Sequence, residues 1–218
     1  MVNAVQDEGS NSANVNFIIE DIVITLSGLI KFITSEGVTF MSRSVYFDDG
    51  SLNRLEHYCK DKLPEDLSSC LFYALRRYEA ECEAVVYLNR AEHSRFQLEF
   101  KLRKKGFLNI EAYPALDYLE TIGLLNDERF ARAWLHSRGI RKFEGRQRLA
   151  SELLSRGIDF QVINIILNEY FAENPEKDLC RKALLKQQKK SLDTQKIMRS
   201  MQRLGFSAKL VNICLEGG

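Results

Sequence analysis

The amino-acid sequence predicts a mainly α protein, a tandem array of three three-helix repeats preceded by a small antiparallel β-sheet. Three observations carry that expectation. Gly106, Gly157 and Gly205 recur 51 and 48 residues apart, each with apolar residues eight and four positions earlier: Leu98 and Leu102, Leu149 and Leu153, Ile197 and Met201. Three runs rich in β-branched and aromatic residues lie between Phe17 and Phe47, separated by short spacers that contain glycine. After Gly50 the strand-like texture stops, and apolar residues recur at helical spacing instead.

Residues 1–14 are small, polar and unpatterned and read as a disordered tail. Residues 15–62 read as a β-rich domain whose strands are FIIEDIVITL, LIKFIT and VTFMSRSVYF. Ser27-Gly28 and Ser35-Glu36-Gly37 supply the hairpin turns, and Asp48-Asp49-Gly50 closes the run. Three strands are marginal alone and need a covering helix. A short helix is expected over 52–62, ending before Pro64. A longer one follows over 66–87, with Leu67, Leu71, Tyr73, Ala74, Leu75, Tyr78, Cys82, Val85 and Val86 on its apolar side.

The repeats are expected at 66–123, 124–172 and 173–218. In each, the glycine is expected to take the left-handed conformation that stops a helix, and the apolar residue behind it (Phe107, Ile158 or Phe206) to pack back on the last turn. Asp159 and Ser207 then cap the following helices, with Asn109 in that role in the first copy. Pro114 is tolerated only near a helix start, so the last helix of the first repeat is placed at 114–122. Leading helices at 66–87, 127–137 and 175–188 complete units of about fifty residues, a period that implies stacked units sharing a core.

Composition excludes several classes. The apolar run from Phe17 to Ile33 is broken by Glu20, Asp21 and Lys31, so no membrane span is expected. The N-terminus lacks the basic-then-apolar order of a secretory signal, and the chain reads as cytoplasmic and monomeric. Cys59, Cys70, Cys82, Cys180 and Cys214 are odd in number and form no CxxC pair; they read as buried free thiols. His57, His93 and His136 fall on different expected elements, with no HExxH pair, and there is no GxxxxGK[ST] loop. Neither metal nor cofactor is expected, and the chain reads as a binding protein rather than an enzyme.

Charge points to the partner. Residues 1–94 hold 8 basic and 15 acidic side chains, a net −7, whereas residues 95–218 hold 23 and 15, a net +8. The cations recur with the repeat around its middle helix: Arg103, Lys104 and Lys105; Arg138, Arg141, Lys142, Arg146 and Arg148; Lys189, Lys190, Arg199 and Arg203. Stacked units could merge them into one positive stripe that binds single- or double-stranded DNA through phosphates, tolerantly of sequence and steeply dependent on salt. With Phe107 and Phe143 the main aromatic residues at these clusters, and Phe107 at a packing position, base stacking is expected to be secondary. An alternative is a helix-turn-helix-like duplex reader built around Gly157, acting in transcription or DNA architecture. A nuclease ranks third.

The stretch YLETIGLLNDERFARAWLHSRGIRKFEGRQRLASELLSRGI at 118–158 resembles the RecX family, regulators of the RecA recombinase. AEHSRFQLEFKLRKKGF at 91–107 looks like that family's first repeat, 178–215 is a weaker match to its last, and coverage runs over 66–216. Asn126 stands where the family commonly has a second Asp, and the β-rich extension resembles that of some longer members. Within the signature, Asn126 or Asp127 is expected to cap a helix that buries Phe130, Ala131 and Trp134 and leaves Arg129 and Arg132 outside. The resemblance implies a protein that docks in the groove of the RecA filament on single-stranded DNA and inhibits its ATPase and strand exchange, in recombination, repair and the SOS response.

Overall fold

The computed structural model describes residues 15–189 and 193–216, without the side chains of Ile140 and Arg141. The tail expected over 1–14, Lys190 and the Arg141 side chain lie outside that description. Among the described residues there are ten α-helices and one three-stranded sheet, and no helix is long and apolar enough to cross a membrane. The described residues form two compact units, one holding 15–90 and 98–124, the other 91–97, 125–189 and 193–216.

In the first unit, β1 (Ile19–Ile24), β2 (Leu29–Thr34) and β3 (Thr39–Arg43) pair antiparallel in that order, with Phe32 opposite Ile22 and Phe40. Gly28 and Gly37, at φ +75° and +76°, turn the two hairpins. The third strand is shorter than its β-rich run. It gives way to a 3₁₀ turn over Ser44–Tyr46, because Tyr46 buries its ring and donates its hydroxyl to Glu81 at 2.8 Å. Helix α1 (Ser51–His57) also stops short of residue 62, since the chain turns back at Lys60 (φ +72°), whose N–H donates to the Ile19 carbonyl at 2.7 Å.

Helix α2 (Glu65–Leu88) covers the sheet, packing Leu67, Leu71 and Leu75 on Ile19, Ile30 and Phe32. Its buried stripe departs from the expected one toward the C-terminus: Ala80, Glu81 and Ala84 turn inward, and Cys82 and Val86 are exposed. The cause is polar. The Glu81 carboxylate accepts from Arg43 Nε with both oxygens, at 2.8 and 2.9 Å, besides accepting the Tyr46 hydroxyl, while the Arg43 guanidinium lies 4.7 Å from the Tyr118 ring centroid. Hydrogen bonding to Glu81 raises the Arg43 pKa, and burial, reinforced by the same carboxylate, raises that of Tyr46. The cysteines are correspondingly mixed: Cys180 and Cys214 are buried, Cys59 and Cys70 half-buried.

Helix α3 (Arg95–Lys104) leads to α4 (Asn109–Thr121), which starts five residues before Pro114 rather than at it. A proline there leaves the Ile110 carbonyl without its helical donor. Arg77 supplies one, from Nε at 3.3 Å. Nor does Asn109 cap this helix; the Glu111 carboxylate accepts the Leu108 N–H at 2.9 Å and is held in turn by Arg76.

The second unit contains α5 (Asp127–Arg141), α6 (Arg146–Leu154), α7 (Phe160–Glu173), α8 (Glu176–Gln188), α9 (Thr194–Arg203) and α10 (Ala208–Glu216). One core gathers Phe130, Ala131, Leu149, Leu153, Ile158 and Ile163, with Trp134 packed at its side, and the other gathers Leu179, Cys180, Ile197, Met201 and Phe206. Tyr170 and Phe171 pack on both, so the two triplets share one interior. Asn126, Asp159 and Ser207 cap α5, α7 and α10 by accepting backbone N–H groups.

All three repeat glycines adopt positive φ, at +89°, +79° and +88°. In each case the next residue's N–H reaches back to a carbonyl in the last turn of the helix: Phe107 to Leu102, Ile158 to Leu153, Phe206 to Met201, at 3.1–3.2 Å. This is the hydrogen bond of a left-handed helix stop with its apolar contact.

Inside the second unit one joint is made twice, ahead of α3 and ahead of α6. The Gly145 N–H, just ahead of α6, donates to the Leu204 carbonyl at 2.8 Å, and the Ser94 hydroxyl, just ahead of α3, donates to the Arg156 carbonyl at 2.7 Å. The first N–H of each of these helices is then capped by a carboxylate from the start of the following triplet: Arg95 N–H by Asp127 at 2.7 Å, Arg146 N–H by Glu176 at 2.8 Å. At α9 the cap is local: its own Asp193 accepts the N–H groups of Gln195 and Lys196. The joint is tight: a Cβ on Gly205 would meet the Arg148 backbone nitrogen at 2.3 Å, and one on Gly157 would meet the Phe96 Cβ at 2.4 Å.

Candidate nucleic-acid interface

The cations singled out by the repeat separate into two kinds once their partners are seen. In the first unit, Arg103, Lys104 and Lys105 all stand exposed at the C-terminal end of α3, where positive side chains complement the helix dipole. The Lys104 ammonium lies 4.5 Å from the Phe100 ring centroid, and that of Lys105 is 3.4 Å from Glu83.

In the second unit, part of the basic cluster is internal. Arg138 is half-buried and donates from Nε and Nη2 to the nearly buried Glu144 carboxylate at 2.5 and 3.0 Å. Arg138 and Arg156 also place their guanidinium carbons 4.9 and 4.8 Å from the Trp134 ring centroid. Glu152 collects three guanidinium groups: Arg148 at 2.6 Å, Arg156 at 2.7 Å and Arg138 at 3.6 Å. Arg146 is tied by its backbone to Glu176 and by Nη2 to the Asn168 side-chain oxygen at 2.5 Å. These contacts fix the α6 end of the site.

Hydrogen bonding to Arg156, helped by Arg138 and Arg148, holds the Glu152 carboxyl below the usual glutamate range. A carboxylate with a lowered folded-state pKa stabilises the fold above its ordinary value of 4.5 and loses that contribution as pH falls through the folded value. Thermal unfolding followed through Trp134 should therefore show the wild-type midpoint dropping below about pH 4.5 more steeply than that of Glu152→Gln. Parallel curves would mean that Glu152 adds nothing to this pH dependence.

The remaining cations face solvent. Lys142 follows α5, Lys189 follows α8, and Arg199 and Arg203 lie on α9; all four are exposed. The joint brings two of the clusters together, because the Arg148 backbone packs on Gly205, two residues beyond Arg203. Of the signature arginines, Arg129 bonds Glu92 and Arg132 bonds Glu128 and Glu169, so both sit outside the core but in ion pairs. The histidines are dispersed: His57 is on α1, His93 precedes α3, and His136 is on α5.

Sequence reasoning missed two features. The carboxylate caps of Asp127 and Glu176 join residues about thirty positions apart, and no local pattern announces them. Glu152, by contrast, has arginines four residues to either side, a spacing that places opposite charges together on a helix.

Helical triplets that carry exposed cations and follow a small three-stranded sheet define a mainly helical, repeat-built protein. The model of the second three-helix domain of RecX matches residues 126–167, which span α5 with its cap, α6 and half of α7. Regulatory protein RecX of Treponema pallidum (strain Nichols) is 38% identical over 143 residues, covering 66% of this chain and 87% of that protein. That of Chlorobium limicola is 34% identical over 92 residues, covering 42% and 58%. A crystal structure of regulatory protein RecX has the same fold at a TM-score of 0.69 and 17% identity, over 92% of this chain and 100% of that one. RecX from Lactobacillus salivarius gives 0.57 at 19% identity, over 65% and 96%. The chain belongs to the RecX family of regulatory proteins.

Proposed function

We propose that this chain is a non-catalytic regulator that binds RecA filaments on DNA and inhibits their ATPase and strand exchange, with 66–123, 124–172 and 173–218 as its repeat units. The observation that carries the reading is the division of labour among the arginines. Arg138, Arg146 and Arg148 hold the α6 end in shape, and this leaves Lys142, Lys189, Arg199 and Arg203 exposed, as Arg103, Lys104 and Lys105 are in the first unit. Exposed lysines and arginines on rigid elements suit a phosphate backbone, whose recognition requires charge more than a fixed sequence.

The acidic N-terminal sheet, on this reading, either touches RecA protein or steers orientation rather than binding DNA, because its net negative charge repels phosphate. Family membership supports a regulatory role, and the RecA partner follows from the RecX resemblance. The test is RecA-dependent ATP hydrolysis on single-stranded DNA, titrated with wild type and with Lys142→Ala/Arg199→Ala/Arg203→Ala. Wild type should inhibit, and the variant should require roughly tenfold more protein for half-inhibition. No inhibition by wild type would overturn the function, and equal potency would remove these three residues from it.

A further inference from the structure

Two aromatic rings at or near α3 are open to solvent in whole or in part, and the repeat does not require the first of them. Phe100 is 52% exposed, and six residues before their own glycines the other middle helices carry Ser151 and Arg199. Packing in α3 is done by Leu98 and Leu102, both fully buried. Tyr87, in the last turn of α2, is also partly exposed. Each ring has a lysine over its face: the Lys104 ammonium is 4.5 Å from the Phe100 centroid and that of Lys101 is 4.3 Å from the Tyr87 centroid. Arg103 and Lys105 extend the positive charge beside them.

We propose that Phe100 and Tyr87, with Lys101 and Lys104, form a stacking site for unpaired bases of single-stranded nucleic acid. The two lysines hold the ring faces in the free protein and swing to the phosphates when bases take their place. The inference rests on the DNA-binding part of the function proposed above and adds to it a preference for unpaired strands. Phosphate contacts alone serve duplex and single strand alike, whereas an aromatic face is of use only to a base that is not already stacked between its neighbours. Of the rings that the sequence suggested, Phe107 is 7% exposed and Phe143 packs against the α8–α10 core, so stacking falls to others.

The test uses the full chain, without RecA, and fluorescence anisotropy on a labelled oligothymidylate of about twenty nucleotides and on a duplex of the same length, a span suited to backbone-tracking binding. Phe100→Leu keeps an apolar side chain and all four cations. Base–aromatic stacking of ~1–3 kcal/mol predicts a loss of about tenfold in oligothymidylate affinity, with duplex affinity unchanged. Tyr87→Phe, which keeps the ring, should bind as wild type, and Tyr87→Leu should lose affinity for the single strand only. Equal losses on both ligands, or none on the single strand, would overturn the proposal. So would a Phe100→Leu variant that binds both ligands normally but sediments poorly with RecA filaments, because the ring would then be a protein contact. With RecA left out of the binding assay, the outcome is independent of whether the chain inhibits the filament.

Discussion

Gly205→Ala should destabilise the second unit by about 3 kcal/mol, whereas Gly106→Ala should cost only about 1–2 kcal/mol in the first. Both glycines have φ near +89°, so the left-handed penalty on an alanine is common to the two. They differ in what surrounds them. A Cβ on Gly106 meets nothing within 4 Å, whereas one on Gly205 would meet the nitrogen, Cα and Cβ of Arg148 at 2.3, 2.9 and 2.5 Å. Two of those atoms are backbone at the first turn of α6, and they cannot retreat without parting the Gly145 N–H from the Leu204 carbonyl. Gly145→Ala separates the two effects: its φ of −82° suits alanine, but the new Cβ would stand 2.4 Å from the Gly205 carbonyl oxygen. Urea unfolding followed by Trp134, the sole tryptophan and a reporter of the second unit, measures both of these variants, and circular dichroism follows Gly106→Ala. Similar losses at Gly106 and Gly205 would show that helix stopping, not the joint, is what these glycines provide.

Glu81→Ala should cost the first unit about 3 kcal/mol, the lower end for breaking a buried ion pair, because Arg43 keeps some contact with water. Glu81 is 3% exposed and its carboxylate accepts from Arg43 and Tyr46 together, so its loss strands two donors at the seam between β3 and α2. Glu81→Gln should recover part of the loss by accepting one of them. A thermal unfolding midpoint within a degree or two of wild type for Glu81→Ala would mean that the seam is held by apolar packing alone.

What the sequence made legible follows the range of the interaction. A helix stop is encoded within six residues, so Gly106, Gly157 and Gly205 announced the repeat and the burial of Phe107, Ile158 and Phe206. Asp159 and Ser207 announced the caps for the same reason. Pro114 misled, because the donor that lets it sit inside α4 is Arg77, more than thirty residues away. Cys82 misled because Glu81, its neighbour, is drawn inward by a strand that the helical pattern does not contain. In the candidate site, the sequence located the charged segments but could not sort structural arginines from exposed ones, since Arg138 and Lys142 differ only in the partners that the fold brings to them. Phe100 was hidden by similar logic: nothing in its spacing distinguishes a ring that packs from one that does not.

The proposed regulation depends most on the exposed cations engaging a filament. Co-sedimentation of the chain with RecA filaments on single-stranded DNA, repeated over a range of salt, measures that directly. Wild type should pellet with the filaments and be released steeply as salt rises. Lys142→Ala/Arg199→Ala/Arg203→Ala should bind less tightly, and its plot of log affinity against log salt should be shallower by roughly 0.7 for each phosphate that the variant no longer neutralises. A wild-type chain that stays in the supernatant at low salt, or a variant with the same affinity and slope as wild type, would contradict it.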